Sequence, residues 1–178
     1  MPAGITVMMT ETSNIKMIIF DVDGVLTDGT ILIDDHGVET KRFHVRDGMA
    51  IRMAQQMGLK VAALTSRTTR AVSLRLGELG VDPVLQGATD KAVGLETICR
   101  ETGVLPEQCA YVGDDLLDLP ALLRCGLPVA VADAVEEVKA EAKYVTAAPG
   151  GHGAAREVIE HILKAQGRWD EMLKRYGV

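Results

Sequence analysis

Met17-Ile18-Ile19-Phe20-Asp21-Val22-Asp23-Gly24-Val25-Leu26-Thr27-Asp28-Gly29-Thr30 places two carboxylates, Asp21 and Asp23, where an apolar run stops. The run Met17–Phe20, with no polar residue in it, reads as a strand buried on both faces. The acidic, glycine-bearing turn after it leaves the end of that strand. In a parallel α/β sheet, ligands bind at the carboxyl ends of strands. Two acids at that place point to a site for a hard cation and a phosphate.

Working outward, the chain alternates apolar runs with amphipathic stretches. Strands are predicted at Lys16–Phe20, Lys60–Leu64, Pro83–Leu85, Cys109–Val112, Leu127–Val131 and Lys143–Val145, with helical segments between most of them. That alternation predicts an α/β fold with a doubly wound parallel sheet, Rossmann-like and covered on both faces. Gly58, Gly80, Gly103 and Gly126 follow helical stretches, where a helix end favours a residue that accepts left-handed dihedrals. One stretch departs from the rhythm. Thr30–Asp34 and Val38–Val45 are β-prone and flank the turn signal Asp35-His36-Gly37, which predicts a β-hairpin inserted after the first strand. The cluster Pro149-Gly150-Gly151-His152-Gly153 reads as a loop before a last helix, Ala154–Gln166. The expected organisation is a loose tail over residues 1–14, one domain over 15–166, and a charged, peripheral tail over 167–178.

A chain of 178 residues, 47% hydrophobic and 25% charged, suits one domain with a sizeable core. A net charge of −6 argues against a general nucleic-acid binder or an anionic-membrane binder, both of which need a dense basic surface. Cys99, Cys109 and Cys125 are widely spaced, form no C-x-x-C pair and sit in apolar stretches. They read as reduced core thiols of a cytoplasmic protein. The first fourteen residues lack the charged and apolar regions of a leader, and no run approaches a membrane span.

Four features fall at strand ends in order: Asp21 and Asp23; Thr65-Ser66-Arg67; Asp90-Lys91; and Gly113-Asp114-Asp115-Leu116-Leu117-Asp118. Taken singly, each is commonly structural, as an Asp at a strand end often caps a helix. Their joint order matches phosphoryl transfer through a carboxylate, in which an Asp attacks phosphorus and the acyl phosphate is then hydrolysed. A carboxylate approaching an anionic phosphate needs its repulsion cancelled. A divalent ion on Asp21 and Asp114 does this, and Mg²⁺ suits because it accepts a few carboxylates and keeps water and phosphate oxygens as its other ligands. Asp23 is then the acid for the leaving alkoxide and afterwards the base for water. Lys91 and Thr65 hold the phosphoryl oxygens.

These four segments resemble the four motifs of the haloacid dehalogenase superfamily of phosphatases. Further segments, Phe43–Met49, Tyr111–Asp115, Val129–Ala134 and Gly150–Glu157, resemble the 3-deoxy-D-manno-octulosonate 8-phosphate phosphatases within it, over roughly residues 16 to 166. The resemblance implies a Mg²⁺-dependent phosphatase acting on a phosphorylated 2-keto-3-deoxy sugar acid, a lipopolysaccharide precursor. It makes Asp21 the nucleophile and a metal ligand, Asp23 the acid/base and a ligand through its carbonyl, and Asp114 the remaining ligand, with Asp115 and Asp118 in support. Substrate contacts fall on Asp23, His44, Val45, Arg46, Asp47, Gly48, Arg52, Arg67, Arg75 and Lys91, a cationic set suited to phosphate plus carboxylate. The other reading of Arg52, Arg70 and Arg75 is a solvated helix face. Three residues depart from the pattern: His44 stands where Asn is usual, Ser66 where Gly follows the motif Thr, and His152 where Arg is common. A nine-carbon sugar acid phosphate is the alternative substrate.

Superfamily members often carry a cap domain that closes over the site, and neither gap here leaves room for one. The hairpin Thr30–Val45 is therefore expected to pack in a homo-oligomer, with a neighbouring subunit roofing each pocket. The resemblance implies a tetramer. Rival readings weaken on spacing. In an EF-hand begun at Asp21, Leu26 takes the glycine position and Leu32 that of the glutamate. In a dinucleotide motif at Gly151-His152-Gly153, Arg156 takes the third glycine position. A receiver domain needs no acid two residues after its phospho-acceptor. A non-catalytic oligomerisation module of the same fold needs none of the intact Asp21, Asp23, Lys91 and Asp114.

Overall fold

In the computed structural model, which describes residues 12–178, the opening apolar run becomes an interior strand of one parallel sheet. The strands are β1 (Met17–Phe20), β4 (Lys60–Leu64), β5 (Val84–Leu85), β6 (Cys109–Gly113), β7 (Leu127–Ala130) and β8 (Tyr144–Val145), in the order β5-β4-β1-β6-β7-β8. All five pairings are parallel. Every residue of β1 is completely buried, which explains its lack of polar side chains.

The helices are α1 (Val45–Gln56), α2 (Arg70–Leu79), α3 (Lys91–Thr102), α4 (Leu119–Leu122), α5 (Glu136–Glu141), α6 (Ala154–Ala165) and α7 (Trp169–Lys174). The chain steps from β1 to β4 and β5 in one direction, then crosses back to β6 and continues the other way. Right-handed crossovers therefore put α1 and α2 on one face and α3, α4 and α5 on the other. The packing of α1 with α6 and of α3 with α4 follows this division. The reversal at β1 opens a crevice where the carboxyl ends of β1, β4 and β6 diverge. Among the described residues, no helix is long and apolar enough to cross a membrane.

The sheet ends match the sequence reading to within a residue or two, but the hairpin does not. Its paired arms are only β2 (Leu32–Ile33) and β3 (Glu39–Thr40), and Val45, expected to close the second arm, instead opens α1. Among the described residues, nothing pairs with the outer edges of these arms. Gly58, Gly80 and Gly103 adopt left-handed dihedrals, whereas Gly126 does not. At Gly126 the constraint is space, since a Cβ would lie 2.0 Å from the Glu107 carbonyl oxygen. The C-terminal segment, expected to be peripheral, forms α7. Met172 there is fully buried and Trp169, three residues earlier on the same side of the helix, packs against the core. Of the expected N-terminal tail, residues 1–11 lie outside the described residues.

The start of α6 is held from a distant helix. Asp47 of α1, 2% exposed, accepts hydrogen bonds from the backbone N–H groups of Gly153 (3.2 Å) and Arg156 (2.8 Å), 109 residues away in the second case. These are orphan donors of the first turn of α6, which has no side-chain cap of its own. Replacing Asp47 by Ala is expected to lower stability by about 1–2 kcal/mol, the usual cost of a lost cap. The check is a lower urea-unfolding midpoint with an unchanged native circular dichroism spectrum.

Candidate active site

The loops after β1, β4 and β6 meet around a cleft of about 160 Å³ lined by Asp21, Asp23, Thr65, Arg67, Lys91 and Asp114, together with Ser66, Asp115, Leu117 and Asp118. All four sequence features thus converge. A larger hollow of about 460 Å³ lies near the amino end of β4, lined by Gln55, Lys60, Gly80, Asp82, Glu101 and Thr102 among others. It gathers no comparable set, and Lys60 there spends its ammonium on the Thr102 carbonyl.

Lys91 is placed by a local device. Asp90 caps α3, accepting from the N–H groups of Ala92 (2.8 Å) and Val93 (3.2 Å). This sets Lys91 at the first helical position with a side chain only 2% exposed. Its ammonium donates to Asp21 Oδ1 (2.7 Å), the Leu64 carbonyl (2.7 Å), Asp118 Oδ1 (3.1 Å) and the Tyr111 hydroxyl (3.2 Å). Burial opposes its charge, but Asp21 and Asp118 outweigh that and hold its pKa above the ordinary lysine value.

The acids play distinct parts. Oxygens of Asp21, Asp114 and Asp118 lie within 4.8 Å of one another, an arrangement that can hold a metal. Asp118, however, is already committed. Its Oδ1 accepts from Tyr111 (2.7 Å) and Lys91, and its Oδ2 from the N–H groups of Asp114 (2.9 Å) and Asp115 (3.4 Å). It positions the loop and the lysine. Asp114 Oδ1 is buried with no hydrogen-bond partner. Such an orphan is costly unless a cation meets it, so Asp21 and Asp114 are the side chains that fit a magnesium ion. Gly24, at φ +90°, makes room for this pair, because a Cβ there would lie 2.0 Å from Asp114 Oδ2.

Thr65 is buried beside them, its hydroxyl accepting from the Arg67 N–H at 3.3 Å. The other expected substrate contacts do not reach this cleft within one chain. His44, Asp47, Gly48 and Arg75 line a separate cavity of about 10 Å³ with Phe43, Ile51 and neighbours. Arg75 pairs with Glu78 (2.9 Å), Arg52 donates to the Glu78 carbonyl, and Val45 and Arg46 are exposed at the start of α1. Asp47 has both oxygens on α6. The sequence reading missed Tyr111, whose signal was a hydroxyl within the otherwise apolar run Cys109–Val112. It also missed Lys41 and Glu39, whose place in a short hairpin gave no signal.

Comparison with known proteins agrees with this site. Residues 83–158 match the family model described as haloacid dehalogenase-like hydrolase. The 3-deoxy-D-manno-octulosonate 8-phosphate phosphatase KdsC of Salmonella typhi is 44% identical over 166 residues, covering 93% of this chain and 88% of that protein. That of Haemophilus influenzae is 42% identical over 161 residues, covering 90% and 89%. A crystal structure of the Moraxella catarrhalis enzyme in complex with magnesium ion, phosphate ion and KDO superposes with a TM-score of 0.93 at 37% identity, covering 96% of this chain and 98% of that one. The cobalt-bound Haemophilus influenzae phosphatase superposes at 0.86 with 43% identity, covering 88% and 92%. The chain belongs to the haloacid dehalogenase-like hydrolases and is a phosphatase of that class. Within the class, the relatives and solved structures named here are the 3-deoxy-D-manno-octulosonate 8-phosphate phosphatases.

The acid pair makes metal binding pH-dependent. Burial, aided by Asp118 and opposed by Lys91, raises Asp21 from 3.8 to about 7. Burial, with Asp118, Asp21 and Asp115 adding, raises Asp114 from 3.8 to about 8. Between these limits the metal-free fold binds protons that the unfolded chain has released, so its stability falls as pH rises from about 4 to about 8. A divalent cation displaces those protons, and its affinity is expected to rise about tenfold per pH unit for each proton displaced in that range. Urea unfolding in EDTA at pH 5.5 and 8, with and without Mg²⁺, checks the first expectation. Calorimetric Mg²⁺ titration in buffers of different ionisation enthalpy checks the second.

Proposed function

We propose that the protein hydrolyses 3-deoxy-D-manno-octulosonate 8-phosphate, with Asp21 as the nucleophile. The observation that carries this reading is the convergence of Asp21, Asp23, Thr65, Lys91 and Asp114 on one cleft in a chain 44% identical to a phosphatase of that name. In the proposed cycle an Asp21 oxygen attacks phosphorus and the bond to the sugar oxygen breaks. Asp23 gives its proton to that oxygen, so the sugar leaves as an alcohol. Water then attacks the aspartyl phosphate, Asp23 takes its proton, and Asp21 is regenerated as phosphate departs. Lys91 and Thr65 hold the phosphoryl oxygens. Magnesium bound to Asp21, Asp114 and the Asp23 carbonyl supplies the charge that offsets repulsion between carboxylate and phosphate.

Arg67, on the rim, is suited to the substrate carboxylate. His44, Val45, Arg46, Arg52 and Arg75 belong to this proposal through the assembly, since they lie apart from the cleft of their own chain, whereas Asp47 and Gly48 are buried and Asp47 is spent on the start of α6. The hairpin exposes Ile31, Leu32, Ile33 and Val38, an apolar surface suited to packing against its counterparts in a tetramer. The three cysteines are free thiols, which supports a reducing, cytoplasmic setting.

With Mg²⁺, phosphate release from 3-deoxy-D-manno-octulosonate 8-phosphate is expected to exceed that from plain sugar phosphates and from a nine-carbon keto sugar acid 9-phosphate. EDTA or Asp21→Asn should reduce it at least about a thousandfold. A residual Asp21-independent rate refutes the nucleophile assignment, and equal rates on acids and plain sugars refute the substrate. Light scattering behind size exclusion is expected to give four times the chain mass, with Ile33→Asp lowering both mass and activity; a fully active monomer contradicts the shared roof.

A further inference from the structure

The hairpin sends one side chain back into the molecule. The side chain of Lys41, the residue after β3, is 1% exposed although the arm that carries it lies at the surface. Its ammonium donates to Asp23 Oδ1 and lies 2.8 Å from Glu39 Oε1. Glu39 also accepts from Arg67 Nη2 at 2.8 Å through its other oxygen. A buried ammonium is tolerated only where carboxylates surround it, so this placement fixes all the partners together. The series Asp23–Lys41–Glu39–Arg67 thus ties the hairpin to the loops after β1 and β4.

Its effect on Asp23 is geometric. One oxygen, Oδ1, is held by Lys41. The other, Oδ2, is buried with no hydrogen-bond partner, and Arg67 Nε at 3.9 Å is too far to supply one. Asp23 lines the cleft beside Asp21, whereas Lys41 does not. We infer that Lys41 is a positioning residue for the proton transfer: it holds Asp23 by Oδ1, so that Oδ2, the oxygen without a partner, is the one left to carry the proton to the leaving group. This rests on the acid role proposed for Asp23. It gives the hairpin a part in the chemistry of its own subunit, separate from any contact with a neighbour. General acid catalysis is sensitive to such placement, because the proton must pass between atoms about 3 Å apart.

The test is the leaving-group dependence of kcat/KM, which reports the steps up to release of the alcohol and so isolates the acid role from the later hydrolysis. Phenyl phosphate needs its leaving oxygen protonated far more than p-nitrophenyl phosphate does. In Lys41→Met and Lys41→Gln, kcat/KM is expected to fall about tenfold on phenyl phosphate and less than about threefold on p-nitrophenyl phosphate. Asp23→Asn, measured in parallel, should show the same discrimination more strongly. Equal losses on both esters in the Lys41 variants, beside a discriminating Asp23→Asn, overturn the inference and leave the acid assignment standing. A non-discriminating Asp23→Asn overturns the acid assignment and the inference with it. If neither Lys41 variant folds, by circular dichroism, Lys41 serves the fold and the inference fails.

Discussion

The Lys91 ammonium is the interaction on which the centre of this molecule depends. It is buried where β1, β4 and β6 end, and its ligands come from all three strands or the loops after them: Asp21, the Leu64 carbonyl, the Tyr111 hydroxyl and Asp118. An ammonium removed from water is stable only with such company. The acids in turn require it, since Asp21, Asp114 and Asp118 without a cation would crowd like charges into one place. The Asp90 cap sets the direction of α3 that makes this meeting possible.

Around that point the acids divide their labour through hydrogen bonding. Asp118 is saturated by donors and shapes the Asp114 loop, whereas Asp114 keeps a buried oxygen free. Burial pushes Asp21 and Asp114 to hold protons until a cation takes their place. The site is therefore poised for a metal by the same burial that would otherwise make it unfavourable. Gly24 is part of this arrangement because no side chain fits between its backbone and Asp114.

A second charged series, from Asp23 through Lys41 and Glu39 to Arg67, joins the hairpin to the rim of the cleft. The fold has no cap domain among the described residues, and the hairpin is the one insertion at the carboxyl end of β1. Its outward residues are apolar and its inward lysine is ionic. One short element thus presents a surface for assembly and fixes a side chain in the cleft.

The sequence alone determined the strand ends that carry Asp21, Thr65 and Asp114 and the doubly wound parallel class, because each depends on local periodicity and turn chemistry. Only the tertiary structure decided that Asp47 caps a helix 109 residues away, that Lys41 turns inward, that Asp118 is saturated and that Met172 is buried. It also placed His44, Gly48 and Arg75 apart from the cleft of their own chain, although the resemblance makes them substrate contacts. The division has one physical cause. Hydrophobic period and capping act over a few residues, whereas the partner of a buried charge is set by which distant backbones the sheet brings within hydrogen-bonding reach.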